Sequence, residues 1–125
     1  MIFDEMEAGK IIDAKLKEIN AKVYPRIAPR GGVFPYGVYT LGTAFQISPS
    51  SWEFTLTINC WDNNGDNVAD LISFVKNLQA LNEVYCFSET VGLDFYLESI
   101  ITIPDPSEHL ARKQINYKMI YYNKE

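Results

Sequence analysis

The chain contains one histidine, His109, and its neighbours Asp105, Ser107 and Glu108 are the residue types of a hydrolytic triad: base, orienting carboxylate and hydroxyl nucleophile. In a proline-bounded loop such near neighbours point in unrelated directions, and no nucleophile motif surrounds them. The sequence therefore places His109 in a solvent-exposed loop and assigns catalysis to no residue. Asp62, Asn64 and Asp66 have the i, i+2, i+4 oxygen spacing that opens a calcium loop. An EF-hand needs glycine next and glutamate at the twelfth position, where this chain has Asn67 and Ser73. No metal site is expected, and a strand-to-helix turn with an Asx cap accounts for these residues. Gly31 and Gly32 lack the following Lys-Ser/Thr of a phosphate loop and precede a strand, so they read as a turn and no cofactor is expected.

Contact chemistry is the stronger signal. Arg26 and Arg30 flank the glycine turn and suit carboxylates on a neighbouring molecule. Tyr36, Tyr39, Trp61, Tyr96, Tyr117, Tyr121 and Tyr122 exceed what a core of this size hides, and Tyr and Trp are favoured where one end of a side chain is buried and the other wet. Of these, Trp61 and Tyr122 are expected at the surface. With the polar turn Asp62, Asn63 and Asn64, they and the two arginines form the candidate interface set.

The elements that must carry these residues centre on 52–81. Trp52, Phe54, Leu56, Ile58 and Cys60 alternate with Glu53, Thr55, Thr57, Asn59 and Trp61, the period of a half-buried strand. After the turn, with Gly65 or Asp66 as cap, Val68, Leu71, Ile72, Val75 and Leu78 form the apolar stripe of a helix. A first helix spans 4–20, capped by Asp4 and weakened by Gly9, with Ala8, Ile12, Leu16 and Ile19 on its inner side. Pro25 and Pro29 limit the next strand to 22–24, and Pro35 places the strand 33–41 at an edge or a strand start. Residues 42–51 read as a turn-rich connection at the tip of a long hairpin. The remaining strands are 84–87, 94–103 and 112–122, the middle one with Phe95, Leu97, Ser99, Ile101 and Ile103 on one face, and SETVGL as the turn before it. Strands in two groups rather than in alternation with helices predict an α+β fold in one domain, a mostly antiparallel sheet with two helices on one face. The other face, half polar, is free to meet a partner.

Composition excludes several classes. The 125 residues carry a net charge of −5, with no basic run, so no phosphate-tracking surface is expected. Cys60 and Cys86 lie in apolar runs and read as reduced core residues. No stretch approaches the ~20 apolar residues of a membrane span, and the N-terminus lacks a signal pattern, pointing to a cytosolic protein.

Three stretches together resemble the tail completion or tail terminator proteins of long-tailed bacteriophages and prophages, also called minor capsid or head-tail joining proteins. They are VYPRIAPRGGVFPYGVYTL at 23–41, the strand, turn and helix of 54–78, and ARKQINYKMIYY at 111–122. The resemblance spans nearly the whole chain. It implies a non-catalytic ring, commonly of six subunits, that caps the tail tube, offers the surface to which the head-side connector joins, and passes DNA through its lumen without specific binding. It also implies a location in the virion tail or neck after assembly in the bacterial cytoplasm; the family carries no fixed functional residues, and on this reading the loops 42–51 and 62–66 and the arm 25–32 are the candidate contacts to neighbours or tube. A small acidic binding module of inhibitor or immunity type, acting on a basic partner, is the alternative that the charge allows.

Overall fold

Alternation along the central strand sets the architecture. In the computed structural model, which describes residues 2–30, 33–63, 67–104 and 109–124, strand β4 (Ser51–Asp62) buries Phe54, Leu56, Ile58 and Cys60 and leaves Glu53, Thr55, Thr57 and Asn59 half-exposed on its other side. Its long partner β7 (Ala111–Asn123) buries Ile115, Tyr117, Met119 and Tyr121 on the same side. The remaining strands are β1 (Val23–Pro25), β2 (Tyr36–Leu41), β3 (Phe45–Ser48), β5 (Tyr85–Phe87) and β6 (Val91–Ile103). They form one seven-stranded sheet ordered β1-β2-β4-β7-β6-β5, with β3 also paired to β4. The pairings are antiparallel except for β1 beside β2. With helices α1 (Glu5–Ile19) and α2 (Ala69–Leu78), this is the expected α+β architecture.

Both helices cover the apolar face. Asp4 caps α1 by accepting from the Glu7 N–H at 3.1 Å, and Ala8, Ile12 and Leu16 are fully buried. In α2 the inner stripe is Leu71, Phe74, Val75 and Leu78, while Val68 and Ile72 are exposed. The stripe is thus rotated from the one read in sequence, because Phe74 fills more core volume than Ile72. Val68 stands at the N-cap without a side-chain bond, and Asn67 Oδ1 instead accepts the Ala69 N–H at 3.0 Å; Gly65 and Asp66 lie outside the described residues. Tyr117 ties the layers together by donating to the Leu78 carbonyl at 2.5 Å.

Three further corrections concern the sheet. Residues 42–51 contain a strand of their own: β3 is collinear with β2 on the same side of β4, so 36–48 form one interrupted arm of a long hairpin. Strand β6 begins at Val91, leaving 88–90 as the turn, because Val91, Gly92 and Leu93 pair with β7 before the apolar run resumes. The third is a bulge. Leu97 pairs with Tyr117 but Ser99 pairs with Asn116, so Glu98 is the extra residue. Since strand faces alternate with period 2, everything after it changes side: Ile100 joins the helix-facing row of Ile115, and Ser99, Ile101 and Ile103 face the open side, away from Phe95 and Leu97.

Candidate assembly surface

The uncovered side of the sheet is built from the half-polar positions of β4 and β7. At its middle, cross-strand pairs satisfy one another: Thr57 Oγ1 donates to Asn116 Oδ1 at 3.0 Å, and Asn116 Nδ2 donates to Ser99 Oγ at 3.0 Å. Arg112 Nη2 reaches Asn59 Oδ1 at 3.0 Å, and Lys118 pairs with Glu53 at 3.3 Å. Such half-buried pairs add little stability individually, but they tie the polar side chains of neighbouring strands together.

Aromatic groups close both ends of this band. At one end Tyr36 packs on Trp61, with ring centroids 5.7 Å apart, Phe34 and Tyr24 flank Tyr36, and the Arg112 guanidinium lies 5.1 Å from the Trp61 ring centre. At the other end a single row crosses five strands: Phe45, Glu53, Ile120, Asp94 and Tyr85. Tyr85 stacks on Phe87 at 5.7 Å and lies over Gly92, where a Cβ would come within 3.0 Å of two ring carbons. A side chain at position 92 would push the Tyr85 ring off this position. Lys124 Nζ sits 4.1 Å from the centre of the Phe87 ring.

The predicted contact residues are thereby divided. Trp61 and Tyr122 are half-buried rather than exposed, and they occupy opposite ends of the open face, roughly 33 Å apart along β7 by strand rise. Burial, then the Asp94 carboxylate, raise the Tyr122 hydroxyl above the usual tyrosine pKa. Asp62 is buried at 4% exposure and accepts the Asn63 N–H at 2.8 Å, so it shapes the turn instead of offering a contact, while Asn63 is exposed. Asn64 lies outside the described residues, as do Gly31, Gly32, Asp66, Asp105, Ser107 and Glu108. Arg30 and Arg26 are exposed, Arg26 with a positive φ of 61° at the end of β1.

Arg26 also borders a cavity of about 430 Å³ between α1 and β2, lined by Met6, Gly9, Pro25, Tyr39 and Leu41. On its floor the buried Tyr39 hydroxyl donates to Asp13 at 2.9 Å, and burial together with that carboxylate raises its pKa. Sequence reasoning missed the exposed apolar groups on the outer strands of the sheet: Phe45 at 63%, Phe87 at 64% and Ile47 at 53%. The available signal was alternation around an inward Cys86 in Tyr85–Phe87. The cysteines are free and buried, and desolvation pushes Cys60 up to about 12 and Cys86 up to about 11. Among the described residues no cluster of His, Cys, Asp and Glu has metal-binding geometry, and no helix is long and apolar enough to cross a membrane. Compared with known proteins, the sequence matches no family model and no curated protein.

Proposed function

We propose that this protein is a structural ring subunit of a phage or prophage tail: a tail terminator or head-tail joining protein whose ring caps the tail tube. The observation that carries the reading is the pair of unlike edges left without a strand neighbour, among the described residues, on opposite sides of one sheet: 40–48 with exposed Phe45 and Ile47 and 96–103 with exposed Ile100 and Ile101. A closed ring needs a heterologous contact, in which one patch of a subunit meets a different patch of the next. The resemblance of 23–41, 54–78 and 111–122 to tail terminators supplies the biological setting. In it the tail tube protein and the head-side connector are the partners, DNA passes through the lumen, and the acidic balance of −5 keeps that passage from adhering.

The test is native mass across concentration, followed by electron micrographs of the protein mixed with tail tubes. Discrete rings seated on tube ends support the reading. A strict monomer that leaves tube ends bare and captures one basic partner stoichiometrically would replace it with the binding-module alternative, which the net charge favours.

A further inference from the structure

Each lateral edge of the sheet is paired over only part of its length. Strand β1 covers 37–39 of β2, and Arg26 adds one bond to the Tyr39 carbonyl, so along 40–48 no described strand lies outside β2 and β3. At the opposite edge β5 covers 92–94 of β6, leaving 96–103 without a strand neighbour among the described residues. Phe95 directs its backbone outward, bonding Glu83 and Val84, and after the Glu98 bulge the outward groups are those of Ile100 and Thr102. Natural edges are usually blunted by lysine, proline or an inward charge. Here 40–48 carries no charge or proline, and 96–103 carries only Glu98, in the bulge.

We infer that these two edges pair with each other between successive copies: Gln46 on the β3 side of one subunit lies antiparallel opposite Ile100 on β6 of the next, giving one continuous sheet around a closed ring. The inference rests on the ring reading above and specifies its contact. The geometry favours this occupant over an unrelated strand. Gln46 lies in the row of Trp52, and Ile100, through Ile115, in the row of Ile58, six residues higher. Each copy contributes four strand spacings, about 19 Å, and six residues rise about 20 Å, so a ring without axial rise tilts its strands by roughly 45°, the upper end of the range for closed barrels. With that offset β1 and β5 stand clear of the junction, one above and one below.

Handedness then decides which face turns inward. With β4 drawn upward and the helices toward the viewer, the Gly42 N–H bond to the Thr55 carbonyl at 2.8 Å puts β2 and β3 on the left and β6 on the right. The bare stretch is low on the left edge and high on the right. Closed sheets coil right-handedly, following strand twist, so seen from outside each right-hand neighbour is displaced upward along the strands. A low left edge therefore meets a high right edge when the helices are outside. The polar band of Asn59, Gln114, Asn116 and Lys118 lines the lumen.

The experiment mixes two single variants, Gln46→Cys and Ile100→Cys, under mild oxidation, beside native mass. Antiparallel neighbours lie within the Cα range that a disulfide bridges, and the buried native thiols do not compete. The expected result is a cross-linked dimer in the mixture and none with either variant alone. Thr102→Pro, which removes an outward N–H, should abolish rings while the subunit's melting temperature stays within a few degrees. Rings by native mass without the mixed cross-link overturn this pairing and leave the ring reading standing. Self-cross-linking of either variant shows an isologous edge and overturns it too, and a monomer at all concentrations with no cross-link overturns both.

Discussion

Replacing Gly9 by alanine separates what the subunit needs from what an assembly needs. Gly9 is the fifth residue of α1, and a Cβ built there meets nothing within 4 Å. Glycine in a helix interior costs about 1 kcal/mol relative to alanine, through backbone entropy and exposed peptide groups. No contact in the subunit offsets that cost, so Gly9→Ala should stabilise the isolated chain by about 1 kcal/mol. That is roughly a fivefold change in the folded-to-unfolded ratio. For a chain of this size it corresponds to a urea midpoint higher by about 0.5 M at unchanged m-value. Equilibrium urea unfolding at a concentration below assembly measures it directly. A gain under 0.3 kcal/mol, or a loss, would refute the reasoning, since it would mean that something packs on Gly9 within the subunit. The same variant assayed for ring formation asks whether the cavity beside Gly9, Met6 and Leu41 is used by a neighbour.

Other outcomes follow from the same structure. Trp61→Ala removes the Tyr36 packing and the Arg112 contact, so the subunit should stay folded with a loss of about 1–2 kcal/mol while joining to tubes weakens; unchanged joining in reconstitution counts against a role for that end of the open face. Tyr117→Phe deletes the bond to the Leu78 carbonyl and should cost about 1 kcal/mol in thermal or chemical unfolding, with the fold retained by circular dichroism. Stability should fall at alkaline pH. The folded thiols of Cys60 and Cys86 titrate near 12 and 11 against about 9 in the unfolded chain, so the unfolded state releases protons first and native stability declines as pH rises above 9. Cys60→Ala should flatten part of that decline, and an unaltered pH profile in this variant would show that Cys60 is not its source.

The sequence by itself determined the elements whose patterns are local. The alternation from Trp52 to Trp61, the inner row of Ile115, Tyr117, Met119 and Tyr121, and the Asp4 cap with Ala8, Ile12 and Leu16 are all found as read, since period and capping depend on neighbours a few residues away. From these the α+β class followed. What tertiary structure decided was everything set by pairing partners. The bulge at Glu98 exists because β7 offers one residue fewer, and no property of the run from Phe95 to Ile103 announces it. Ile72 or Phe74 in the core depends on the volume beneath α2, and Trp61 and Tyr122 are half-buried because cross-strand neighbours lean on them. Which edge is bare is a property of the whole sheet: Phe45 and Ile100 lie far apart in sequence and at opposite edges of the sheet, and only strand order makes each the end of a row.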